Sequence, residues 1–353
     1  MRTPVMMIDL PRVDRNIHRL QELVAHAGRQ LRVHVKGHRT PELATRQTKA
    51  GAVGIMAQTG PEAREYLRRG IDDCVISRPV LDPWRLAPLV RFAAQHAGPA
   101  LAEGTARIVV AVSDPASVRG LGALAAAAGL VLPLRIDVKF DEDRGIVADR
   151  AGDLARLIEH TPGVTLDGVA GYRSYPDLVA LKAAATQRAG SVAEVLVGLA
   201  ESIRADGIGC PTVSVSGTAN TAAALDTPGV TEICVGAGPL YDAGYALAGL
   251  CSLDDVAITL RATVLDTPGG RVRTDADHLL EGAGQDWDPD TLATLTDGTP
   301  LGAAALRQGM VVDLIPAHIC PVAMNDVPRE VIDQGRAVDR WHPVLLPETP
   351  AAS

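Results

Sequence analysis

Aromatic side chains make up only 3% of the 353 residues. A core of ordinary size therefore has to be aliphatic, assembled from the Val, Leu, Ile and Ala that dominate the hydrophobic 47%. No run is long and apolar enough to span a bilayer. Residues 1–10 lack a basic stretch followed by an apolar one, so a signal peptide is not expected either. Surplus positive charge is also missing: 34 Lys and Arg stand against 42 Asp and Glu, a formal charge of −8. That balance argues against nucleic acid or an anionic membrane surface as the main partner. The cysteines number five (Cys74, Cys210, Cys234, Cys251 and Cys320), an odd count without framework spacing. Free thiols or metal ligands in a reducing, cytoplasmic compartment are the reading that remains, with the first four as core residues.

The chain does contain a regular alternation. Short β-branched runs occur at 31–36, 52–57, 73–77, 107–112, 132–138, 164–170, 211–216 and 230–235, which makes eight. Segments such as PELATRQTKAG and PEAREYLRRG between them read as helices, with Pro41 and Pro61 in first turns and Gly51 and Gly70 at the stops. The runs are almost wholly apolar, as expected of strands buried on both faces. Eight β/α units predict a (β/α)8 TIM-like barrel over residues 11–245. After that point the pattern alternates without helical periodicity, at 256–265, 269–275, 309–315 and 329–338. This predicts a β-rich domain of residues 246–353, joined by the strand-like residues 1–10. The 95–105 stretch and the 346–353 tail are expected to be disordered, and Trp84, Trp287 and Trp341 to serve packing.

Barrel chemistry sits at the C-terminal ends of the strands. Lys36 stands at such an end, flanked by His34 and His38. A desolvated lysine near other potential cations has its charged form disfavoured, which frees the amine for covalent chemistry; a surface lysine beside two polar residues is the plainer reading. The loops after strands seven and eight, SGTANT at 216–221 and GAGP at 236–239, offer the small residues of a phosphate cup. In the β-rich part, His318 and Cys320 are two residues apart, which on a strand puts both on one face as a zinc pair. By spacing alone, a buried cysteine beside a polar histidine is the commoner outcome.

These features together resemble the D-serine dehydratase and D-threonine aldolase group of fold-type III pyridoxal-phosphate enzymes, which have an alanine racemase-like barrel. The resemblance runs over nearly the whole chain. LRVHVKGHRTPELA is similar to the group's cofactor motif, which implies Lys36 as the Schiff-base lysine with His34 and His38 beside it. AGAVGIMAQTGPEA implies Gln58 and Thr59 near the site, and DGVAGY implies Tyr172. VSGTANT and TEICVGAGPLYD imply Ser216, Gly217, Thr218, Gly236 and Ala237 as the phosphate loops. LIPAHICPVAMN implies His318 and Cys320 as ligands of a divalent metal. Three positions depart from the pattern: Ala170 where glutamine is expected, a stretched spacing from Asp137 to Arg144, and Asp277 where a glycine is expected.

The resemblance implies a pyridoxal-phosphate- and metal-dependent lyase acting on a small β-hydroxy-D-amino acid, as a homodimer with shared sites. Two outcomes are open: dehydration to a 2-oxo acid and ammonia, or retro-aldol cleavage to glycine and an aldehyde. In the group that the chain resembles, His-x-Cys goes with dehydration and His-x-Asp with retro-aldol cleavage, so the resemblance tilts Cys320 to dehydration. The thiolate suits Zn²⁺, whereas Mn²⁺ or Mg²⁺ would suit the harder pair. An amino-acid racemase and a non-catalytic pyridoxal-phosphate carrier are the rival readings.

Overall fold

The computed structural model describes residues 2–78, 87–95, 107–140, 144–175, 178–186, 191–268, 272–280, 293–301 and 305–345. Residues 96–105, the 346–353 tail, Trp84 and Trp287 lie outside the described residues.

Each of the eight β-branched runs carries a strand. These are β2 (Gln30–His34), β3 (Gly54–Ala57), β4 (Asp73–Ile76), β5 (Arg107–Val112), β6 (Leu132–Val138), β7 (Val164–Tyr172), β8 (Thr212–Ser216) and β9 (Glu232–Val235). They form a closed parallel barrel, β9 returning to β2 with Gln30 opposite Glu232. The predicted helices start where their prolines allow: α2 (Pro41–Lys49) and α3 (Gly60–Leu67) follow β2 and β3. Thr59 caps α3 by accepting from the Glu62 N–H.

The second unit is a mixed sheet. β1 (Val5–Asp9) lies between β10 (Ile258–Asp266), to which it is antiparallel, and β14 (Arg329–Asp333), to which it is parallel. β12 (Ala293–Leu295), β13 (Val311–Pro316) and β15 (Arg336–Trp341) extend it, in the order β12-β13-β10-β1-β14-β15, and β11 (Arg273–Thr274) pairs with β10. The strand-like opening segment pairs within this sheet, whereas β12 is too short for its alternation to show in sequence. Trp341 is buried here, with the Arg46 guanidinium 5.9 Å from its ring. Among the described residues no helix is long and apolar enough to cross a membrane.

The barrel strands are not wholly apolar. On their inner faces six charged side chains close a ring at the N-terminal end of the barrel. Arg32 donates to Asp73 at 2.7 Å and to Glu232 at 2.8 Å. Arg135 donates to Glu232 and Asp167, both at 2.6 Å. Arg107 completes the circuit between Asp73 and Asp167. Three guanidinium groups thus meet three carboxylates, and Ser214 adds a hydrogen bond to Glu232 at 2.8 Å. Burying a charge is tolerable only with such pairing. The Arg32 and Arg135 guanidiniums outweigh the burial that would otherwise raise the Glu232 carboxyl, and hold it well below the usual carboxylate range. Above the ring, Met56, Val75, Val109 and Cys234 form an apolar layer. That layer is the floor of the cleft at the C-terminal end of the barrel.

Candidate active site

Alternation along a strand would put His34, Lys36 and His38 on one face, but β2 stops at His34. The chain then makes a single 3-10 turn, Val35–Gly37, because the His34 ring Nδ1 accepts the Lys36 backbone N–H at 3.4 Å. Lys36 therefore still points into the cleft, while His38 turns away from it. The His38 Nδ1 accepts from the Thr40 N–H at 3.0 Å, and its ring is buried beside Arg329. Burial first, and the Arg329 charge second, push its pKa down to about 3. His38 is thus a neutral core residue, not a neighbour of the lysine amine.

The Lys36 Nζ stands 4.8 Å from the centre of the Tyr172 ring. Burial lowers its pKa from the ordinary lysine value; the nearby Arg144 and Arg78 charges push the same way, and Cys320 opposes them. His34 is held well below the usual histidine range by burial and then by Lys36. The result is a desolvated amine with a reduced preference for its ammonium form. Arg144 also lines the cleft and pairs with Asp137 at 3.3 Å, so the stretched spacing still brings the two together.

Around Lys36 the cleft is lined by Ser216, Gly217 and Thr218 from the end of β8, and by Gly236 and Ala237 after β9. A Cβ on Gly37 would lie 2.5 Å from the carbonyl carbon of Gly236, so the lysine turn and this loop touch backbone to backbone. Gly217 has a φ of 108°, which turns the first loop inward at no steric cost. The Tyr245 hydroxyl is hydrogen-bonded to Thr218, and Cys234 and Met56 close the base. Gln58 and Thr59 do not line the cleft. The Gln58 side chain accepts from Arg39 at 3.1 Å, steadying a residue with a left-handed φ of 48°, and Thr59 is the cap of α3.

On the opposite wall stand His318 and Cys320. The residues 319–324 that follow β13 are helical rather than extended, and Cys320 lies in that helix with His318 at its N-cap. Both side chains nevertheless face the cleft. Burial opposes charge on each, but the imidazolium and thiolate outweigh it mutually, helped by Asp242 on the histidine and Lys36 on the cysteine. The His318 pKa rises to about 10 and that of Cys320 falls below the usual thiol range. Asp242 is buried, and its Oδ2 lies 3.4 Å from His318 Nδ1. Sequence reasoning missed Asp242 and Tyr245. The cap spacing in YDAGY was a visible signal for Asp242, but its approach to a segment 76 residues later in the chain was not.

The site residues suit a phosphate-bearing aldehyde cofactor: a buried amine, small-residue loops that admit it, and two hydroxyls beside them. Among the described residues no group of three or more His, Cys, Asp or Glu is arranged to hold a metal ion. The donors offered are two, a soft thiolate and an imidazole, which fits a divalent ion that keeps open positions.

A family profile described as alanine racemase, N-terminal domain, matches residues 8–238. The chain belongs to this family. Alanine racemase-like and of fold type III, it groups with pyridoxal-phosphate lyases. It is 32% identical over 273 residues to a D-threo-3-hydroxyaspartate dehydratase of Delftia sp. (strain HT23), covering 74% of this chain and 67% of that protein. It is 26% identical over 358 residues to a D-threonine aldolase of Arthrobacter sp., covering 96% and 91%. The solved structure of the Delftia dehydratase superposes with a TM-score of 0.79 at 25% identity, over 98% of both chains. A variant of that dehydratase with a cysteine replaced by alanine has been solved in a metal-free form.

Proposed function

We propose that this alanine racemase-like protein is a pyridoxal-phosphate- and metal-dependent lyase that dehydrates a small β-hydroxy-D-amino acid to a 2-oxo acid and ammonia. The observation that carries the reading is the placement of Lys36 and the His318/Cys320 pair on the walls of one cleft. Pyridoxal phosphate supplies an electron sink for charge developing at Cα, and a divalent metal supplies a Lewis acid for the β-hydroxyl.

The chain's own groups divide the remaining work. Ser216, Gly217, Thr218, Gly236 and Ala237 would hold the phosphate. Lys36 would hold the cofactor and then move the Cα proton, a task suited to an amine whose ammonium form burial disfavours. Tyr172 packs its ring against Nζ and limits where the amine can swing. His318 and Cys320 would hold the metal, and the thiolate favours Zn²⁺ over Mn²⁺ or Mg²⁺. A homodimer with shared sites, which the family resemblance implies, belongs to the same reading.

Retro-aldol cleavage to glycine and an aldehyde is the second reading, because the same donors would also serve a deprotonated β-hydroxyl. The aldolase relative that aligns with 96% of the chain favours keeping it. Incubating cofactor- and zinc-loaded protein with a panel of β-hydroxy-D-amino acids, with products identified by mass, separates the two. A 2-oxo acid with ammonia is expected. Glycine with an aldehyde replaces the dehydratase reading, and turnover that survives complete chelation removes His318 and Cys320 from the chemistry.

A further inference from the structure

The carboxylate of Asp242 has three donors around it and, among the described residues, no lysine or arginine partner. Its Oδ1 accepts the Tyr245 N–H at 3.0 Å, and its Oδ2 accepts the Ile319 N–H at 3.0 Å. His318 Nδ1 lies 3.4 Å from the same Oδ2. The side chain is buried at 1% exposure, so water does not compete for these contacts. One carboxylate therefore caps two helices, Ala243–Leu247 and Ile319–Met324, while facing the imidazole between them. The Gly244 N–H donating to the Ala317 carbonyl at 3.0 Å fastens the same two segments from the other side.

We propose that Asp242 is the positioning residue for His318, and through it for the metal; the proposal rests on the function proposed above. With Nδ1 turned to the carboxylate, that nitrogen keeps its proton when a metal displaces the one on Nε2. An acceptor-only group is required here. Asparagine would have to turn its NH₂ toward one of three donors, either the imidazole or a helix N-terminus. A carboxylate behind a ligating histidine fixes the ring's tautomer and orientation and strengthens it as a donor; its loss lowers metal affinity by about 10–100-fold. Because Tyr245 also reaches Thr218, the same anchor is shared with the loop proposed to hold the cofactor's phosphate.

The test is zinc affinity, measured on the cofactor-loaded protein by competition with a chromophoric chelator, together with the visible absorbance of the bound cofactor. Asp242→Asn is expected to weaken zinc binding by about 10–100-fold with cofactor absorbance retained. Asp242→Glu, which keeps the charge and shifts it by one methylene, is expected to recover part of that loss and covers the case in which the asparagine variant does not fold. In a His318→Ala background Asp242→Asn should have no further effect, since the histidine it acts through is gone. An equal loss with and without His318 makes Asp242 a general structural residue and overturns the proposal. Unchanged zinc affinity in Asp242→Asn, where His318→Ala lowers it, overturns the proposal and leaves the metal reading standing. Unchanged affinity in both variants overturns the two together.

Discussion

Glu232 receives Arg135 at 2.6 Å at the end of the barrel opposite the cleft, with both side chains buried from solvent. Removing the charge from one partner of such a pair leaves the other buried and uncompensated. Glu232→Gln is therefore expected to lose about 3–5 kcal/mol of stability, seen as a lower urea midpoint with an unchanged slope. A shift under 1 kcal/mol would show that the ring is not closed in solution.

Acid should destabilise the protein in two stages. His38, with a pKa of about 3 in the fold against an ordinary 6.5, stays neutral while its unfolded counterpart takes up a proton. Its contribution is complete above pH 6.5 and is lost progressively as the pH falls toward 3. Glu232, also depressed, adds its own loss below its ordinary value of 4.5. Each group steepens the decline by about 1.4 kcal/mol per pH unit within its window. Urea midpoints at a series of pH values check this. His34, also held low by burial, shares the upper stage, so His38→Asn should remove about half of that stage's slope and leave the lower stage unchanged.

Gly37 and Gly236 leave no room for a methyl group between the lysine turn and the loop proposed to hold the cofactor's phosphate. Gly37→Ala is expected to cost about 1–3 kcal/mol of local strain, read as a roughly tenfold or larger rise in the dissociation constant for pyridoxal phosphate. Normal cofactor affinity in this variant would place the phosphate elsewhere.

Lys36→Ala should lower turnover by at least about 10²–10⁴-fold, the usual worth of a positioned acid or base, and abolish the visible absorbance of lysine-bound cofactor. Retained absorbance would assign that role to another lysine.

The fold was legible because the barrel strands are compact, largely apolar runs and the helices after the first two of them are bounded by prolines and glycines, as at Pro41 and Gly70. β1 is a short apolar run standing ahead of the first barrel strand, and it pairs in the second sheet. The ionic ring was overlooked because Arg32, Asp73 and Arg135 are scattered among Val, Leu and Ile, and only barrel closure brings them together. For the site, Lys36, the two phosphate-type loops and the His318/Cys320 pair were readable as motifs. His38 was misassigned because strand alternation was carried past a turn that His34 itself initiates. Asp242 lay beyond reach because its partners, His318 and Ile319, become neighbours only when the sheet docks on the barrel.

The position of β1 carries a consequence for synthesis. This strand is made before every other described strand, yet its parallel neighbour β14 ends at Asp333. On the ribosome, the residues through Pro239, which close the barrel and include Lys36 and both small-residue loops, are available while β1 still lacks that neighbour. The wall that bears His318 and Cys320 emerges roughly 80 residues later. The nascent chain thus completes the loops proposed to hold the phosphate before the wall proposed to hold the metal, an order written into the threading of a single strand.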